Sequence, residues 1–159
     1  MGAAFPELYK IVRVAAPQAA GSLTATDYIC TKNANKVWFI ISHSGASDND
    51  MTFSFVEATE VAGTTTAAVT ATSRIWSDID AGASSDTLVA QTAAASFLID
   101  TTTDVTCLAV LEWDPRQHTD GYDCINVVCD AGHASNFVEV LAVIEPRYAA
   151  NQPPTAITD

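Results

Sequence analysis

The hydrophobic rhythm of this chain limits its fold more than any other feature. Apolar runs of strand length recur from Tyr9 to Ile144, and none carries the 3.6-residue stripe of an amphipathic helix. Tyr9 to Ala15 is the first run, followed by a loop-like stretch of small residues from Pro17 to Ser22 and a short strand over Asp27 to Cys30. A turn at Lys32 to Lys36 leads into Val37 to Ile41, whose lack of alternation predicts a central strand covered on both faces. Met51 to Glu57 alternates and sets Met51, Phe53 and Phe55 on one side. A weaker, exposed strand is expected within Thr64 to Thr72, with Ile75 and Trp76 downstream and a loop over Asp78 to Asp86. Further runs occupy Leu88 to Thr92, Ser96 to Ile99 and Val105 to Trp113, the last stopped by Asp114-Pro115; Ala93 to Ala95 between the first two also suit the start of a short helix, with strand the favoured reading.

Two more strands close the set, Tyr122 to Cys129 and Phe137 to Ile144. The turn-like segment Asp130 to Asn136 between them predicts a hairpin. With no βαβ alternation, the chain is expected to be all-β: a single antiparallel β-sandwich, of which a jelly roll is one form. Its predicted parts are an extended N-terminal arm at 1–8, a sandwich domain at 9–146 and an extended tail at 147–159. In that tail Pro153 and Pro154 lack amide hydrogens and bias the chain toward extended backbone.

Composition removes several classes of function. The net charge is −12, and the seven basic residues are scattered, so a phosphate backbone would be repelled and nucleic acid is not an expected partner. No apolar run approaches the ~20 residues that span a bilayer, and no membrane partner is expected. Met1 to Lys10 lacks a basic region followed by an apolar run, and Pro6 stands where a myristoylation signal needs Ser or Thr. A chain of 159 residues can bury a core without disulfides, so Cys30, Cys107, Cys124 and Cys129 read as reduced thiols. Cys124 and Cys129 are five apart on one strand and would face opposite ways.

Few residues offer chemistry. Of the three histidines, His133 follows Cys129 by four residues, but no CxxC or HxxxH supplies the other ligands of a zinc site. His43 and Ser44 are neighbours on a strand and point apart, and no G-x-S-x-G elbow surrounds the serine. Phosphate-binding glycine loops and HExxH are absent. The acids of Asp48 to Asp50 and Asp78 to Asp80 do not follow the twelve-residue calcium loop and read as solvated loop acids. Of Trp38, Trp76 and Trp113, Trp76 is expected to be the most exposed. No catalytic, cofactor or metal residue is predicted, and the expectation is a chain that is not an enzyme.

Three segments carry a resemblance: Asp27 to Ile41, Gly121 to Val128, and Arg147-Tyr148 with Pro153 to Asp159. Through them the chain, from about Tyr9 to its end, resembles the small all-β decoration, or cement, proteins on the capsids of tailed bacteriophages. The resemblance implies a β-sandwich on the outside of a virion, assembled in the host cytoplasm. It would stabilise the shell by bridging subunits of the major capsid protein, and it is expected to be a homo-oligomer, dimer or trimer. Phe5, Leu8, Arg147, Tyr148, Pro153, Pro154 and Ile157 are the expected partner interface, their apolar members contributing ~25 cal/mol per Å2 removed from water. A tail or head-completion virion protein and a carbohydrate-binding β-sandwich are the competing readings, with a hydrolase of dispersed site behind them.

Overall fold

The computed structural model describes residues 4–23, 26–45, 50–82, 84–130, 133–148 and 155–157. Two antiparallel sheets pack face to face as a β-sandwich. The six-stranded sheet has the order β1 (Lys10–Ala19), β11 (Phe137–Pro146), β3 (Ala34–Ser44), β9 (Thr106–Trp113), β6 (Ile75–Asp78), β7 (Val89–Ala90). In the second sheet β2 (Ile29–Cys30), β10 (Cys124–Asp130) and β4 (Met51–Ala58) lie side by side. The far edge of β4 is shared end to end by β8 (Ser96–Ile99) and β5 (Thr66–Ala68). A single helical turn, α1 (Phe5–Leu8), precedes β1, with Glu7 reaching back to the Ala4 N–H at 2.7 Å.

Alternation decides the core. Val37, Phe39, Ile41 and His43 of β3 turn inward, in register with Trp113, Leu111, Ala109 and Cys107 of β9. Across the layer they meet Met51, Phe53 and Phe55 of β4, Ile125 and Val127 of β10 and Ile29 of β2. Phe55 stands 5.5 Å from the Phe39 ring and 5.3 Å from the Trp113 ring, joining the two sheets. Along β1 a register shift between Arg13 and Ala15 sets two residues against one on β11, and this bulge buries Val14 and Ala15 together.

The strand pairing and both chain ends differ from what the sequence predicts. The last two long strands do not form a hairpin: β10 pairs with β2 and β4, whereas β11 pairs with β1 and β3 in the other sheet. The two strands therefore lie in different layers, and the Ala20 N–H bonds the Asn136 carbonyl at 2.6 Å just before β11 begins. Pro17 to Ala19, expected as loop, continue β1, because Gln18 and Ala19 pair with Val138 and Phe137. Residues 5–8 form a helical turn where an extended arm was expected. The tail, expected as an extended end, contributes to the core, for Ala156 is buried among the core residues and its carbonyl accepts the Cys30 N–H at 2.7 Å.

Gly45 ends β3 at φ +128°, where a Cβ would stand 2.2 Å from the Ser135 carbonyl oxygen. Phe53→Ala should cost about 3–5 kcal/mol of unfolding free energy, because it empties the middle of the core. Phe137→Ala, at a site 55% exposed, should cost less than about 0.5 kcal/mol. Denaturant titration of the two variants checks the contrast.

Candidate functional site

The outer face of the six-stranded sheet holds a contiguous set of apolar side chains that the described residues leave incompletely covered. Because β3 is apolar on both sides, Trp38 and Ile40 point away from the core, in register with Val143 and Leu141 of β11 and with Glu112 and Val110 of β9. The rows continue to Ile11 on β1 and to Trp76 on β6. Ile11 is half exposed and the others partly so. Trp38, Trp76, Val110 and Leu88 line a shallow depression on this face. Aliphatic and indole surface thus runs across five adjacent strands without a covering layer among the described residues, an arrangement typical of interaction surfaces.

Charged groups border this band. Along one side Glu112 is nearly buried and accepts bonds from Lys36 Nζ at 2.6 Å, Trp38 Nε1 at 3.0 Å, and Arg74 Nε and Nη2 at 3.0 and 2.6 Å. Burial alone would raise the Glu112 pKa, but the bonds from Lys36, Arg74 and Trp38 outweigh it and hold the carboxyl below its ordinary value. Arg74 also lies 5.3 Å from the Trp76 ring centroid, so one carboxylate fixes both exposed indoles, one directly and one through a cation–π contact. On the other side Arg13 pairs with Glu139 at 3.5 Å. An apolar centre with a charged rim is the usual anatomy of a protein–protein interface.

The interface residues expected from sequence gather at one end of this sheet. Phe5 and Leu8 of α1 are about half exposed, and Phe5 stacks on Tyr9 at 5.0 Å, whose ring meets Trp38 edge-on at 6.1 Å. Arg147 and Tyr148 are exposed just beyond β11, with the Arg147 N–H bonded to the Asn33 carbonyl at 2.7 Å. Ile157 is half exposed beside the buried Ala156. Pro153 and Pro154 lie outside the described residues, as do residues 46–49, which include Asp48 and Asn49 of the first acidic loop. Sequence reasoning missed Ile11, Trp38, Ile40, Val110, Leu141 and Val143. Their signal was the missing alternation of Val37 to Ile41, which implied two apolar faces; among the described residues only one is fully covered.

The second polar assembly is internal. His118 Nδ1 lies 3.2 Å from Glu57 Oε2, and its Nε2 faces the Thr31 hydroxyl at 2.9 Å and the Trp113 indole N–H at 3.4 Å. An indole can only donate, so Nε2 accepts and the proton of the neutral ring belongs on Nδ1, directed at Glu57. The order of groups mimics a hydroxyl–imidazole–carboxylate relay. Thr31 is 1% exposed, however, and its hydroxyl also reaches the Asp123 carbonyl at 2.8 Å, so the network serves to satisfy buried polar groups. Burial pushes the His118 pKa down against the pull of Glu57. It also acts to raise Glu57, but the Thr119 and His118 bonds prevail and leave that carboxyl lowered.

The other motifs stay dispersed. His43 is buried while Ser44 is exposed, as adjacent strand residues should be. Cys129 packs toward the core, its thiol pushed up to about 11 by burial and by Asp130, and His133 Nδ1 accepts the Ser135 N–H at 3.1 Å. Trp113 is fully buried, whereas Trp38 and Trp76 are both partly exposed. No helix among the described residues is long and apolar enough to cross a membrane. A scan against protein-family models and searches of curated proteins and of solved structures each found no match.

Two tests follow from these networks. Glu112→Ala should lower stability by about 2 kcal/mol, since it strands the Trp38 N–H and leaves Lys36 and Arg74 facing each other. A thermal melt reads this loss. His43 and His118 both have pKa values lowered from 6.5, so the unfolded chain binds more protons just below that pH. Their contribution to stability is complete above about pH 6.5 and falls as the pH drops through the lowered values. Glu57 and Glu112, also lowered, extend the loss below their ordinary value of 4.5. The denaturation midpoint should therefore be lower at about pH 5.5 than at about pH 7.5, and a flat profile would contradict the assigned protonation states.

Proposed function

We propose that this chain is a structural virion protein that binds the outer surface of a tailed-phage capsid and stabilises the shell by bridging major capsid subunits. The observation that carries the reading is the open apolar face of the six-stranded sheet, bordered by the Lys36–Glu112–Arg74 cluster and the Arg13–Glu139 pair. A central sheet that is apolar on its second side is built to be covered. The resemblance of the sequence to phage cement proteins supplies the partner, and the net charge of −12 suits a surface away from packaged DNA. In this reading neighbouring copies associate as a dimer or trimer, and no catalytic step is involved.

Phe5, Leu8, Tyr148 and Ile157 extend the contact around one end of the sandwich, and many weak contacts over a shell add through avidity. Removing the last residues is a poor test of this role, because Ala156 belongs to the core and its loss would also unsettle β2. The carbohydrate-binding alternative has less support, since Trp76 is already engaged by Arg74 and the Trp38 N–H is spent on Glu112.

Quantitative mass spectrometry of purified particles tests the proposal directly. This chain should be present in a simple ratio to the most abundant shell protein. A handful of copies per particle would assign it to the tail or head-completion apparatus instead, and absence would overturn a virion role. Ile40→Glu, placing a charge in the middle of the apolar face, should weaken binding to shells by about tenfold or more while leaving the melt cooperative.

A further inference from the structure

We propose that Cys30, Asp123 and Cys124 form a binding site for a borderline-soft divalent cation, with zinc the best match. The cluster is separate from the apolar face and arises from strand register. Cys30 of β2 lies directly opposite Cys124 of β10. The Thr31 N–H bonds the Asp123 carbonyl at 2.8 Å, which makes the cysteines a non-hydrogen-bonded pair, the kind whose Cα atoms approach to ~4.5 Å. Both side chains consequently leave the same face of the sheet side by side. Asp123 precedes the first residue of β10 and escapes strand alternation, so its carboxylate lies beside the thiol of its own neighbour, with Cys124 Sγ 3.2 Å from Oδ1.

The two sulfurs and a carboxylate oxygen all lie within 4.8 Å of one another, and among the described residues this is the group of three ligand-bearing side chains so disposed. Tetrahedral zinc with bonds of ~2.3 Å to sulfur and ~2.0 Å to oxygen needs ligand separations of roughly 3.5–3.8 Å, a small contraction from that spacing. Two thiolates favour zinc over calcium or magnesium. Cys124 is fully buried while Cys30 and Asp123 are partly exposed, so the cluster is anchored below and open above. A fourth position would be left to water.

Charge balance fits a divalent ion. Two thiolates and a carboxylate carry three negative charges, and the ion together with Lys32, whose Nζ is 3.0 Å from Asp123 Oδ2, neutralises them. Binding forms two sulfur–metal bonds and one oxygen–metal bond and releases the two thiol protons to solvent, so affinity rises with pH. The role is structural: β2 is only two residues long, and the far edge of Cys30 holds the Ala156 carbonyl. A cation joining Cys30 to Cys124 would tie the second sheet and the C-terminal segment together.

Cobalt titration of the full chain, stripped of metal and kept reduced, is the test. One equivalent of Co2+ should produce thiolate-to-cobalt absorption in the near ultraviolet and the visible bands of a tetrahedral ion, and zinc should displace it. Cys30→Ser and Cys124→Ser should abolish the sulfur band, Asp123→Asn should weaken binding while keeping it, and Cys129→Ser should change nothing. Should a serine variant fail to fold, alkylation of the wild type gives an independent reading: zinc should slow modification of Cys30, and a chelator should restore it. Absence of the sulfur band at a large excess of cobalt, its persistence in folded Cys30→Ser or Cys124→Ser, or alkylation of Cys30 indifferent to zinc would overturn the site.

Discussion

The contact of Phe55 with Phe39 and Trp113 is the interaction on which the rest depends. It is where the second sheet meets the first at the greatest side-chain volume, and it fixes how the layers sit across the core. Trp113 in turn packs edge-on against His118 at 5.1 Å, and that imidazole brings Glu57 and Thr31 into one hydrogen-bonded set. Polar groups buried this deeply are tolerable only because every partner is placed by the aromatic packing beside them. Core and polar network therefore stand or fall together.

Both faces of the six-stranded sheet follow from one property of β3 and its neighbours, apolar residues at successive positions. The inward set makes the core and the outward set makes the band from Ile11 to Trp76. Glu112 is the hinge of that arrangement, since one carboxylate neutralises two cations and orients two indoles at the border of the band. A surface organised in this way presents fixed aromatic area at low entropic cost to whatever covers it. The proposed attachment to a shell uses that preorganisation.

Much of the fold was legible in the sequence. Met51, Phe53 and Phe55 alternate and are all buried; Asp114-Pro115 does stop β9; Cys124 and Cys129 do face opposite ways. Of the chain-end residues expected at a partner interface, Phe5, Leu8, Tyr148 and Ile157 are exposed. The outward side chains of β3, β9 and β11 were not singled out, because an unbroken apolar run reads the same whether its second face is covered by the same chain or by another. The juxtaposition of Cys30 with Cys124 was equally hidden, as it depends on a pairing between residues far apart in sequence.

The sequence by itself determined the class of structure: period-two patterning, punctuated by turn residues, leaves an antiparallel β-sandwich as the way to bury one face of each strand. It also determined which side of the Met51 to Glu57 strand would be buried. Only the tertiary structure decided which strands are neighbours. Tyr122 to Cys129 and Phe137 to Ile144 look like a hairpin, yet they lie in different layers, and Ala156 returns to the core from a segment that reads as a tail. The physical reason is that local pattern fixes the direction of a side chain, whereas pairing is settled by the shape and hydrogen-bonding capacity of edges contributed by distant parts of the chain.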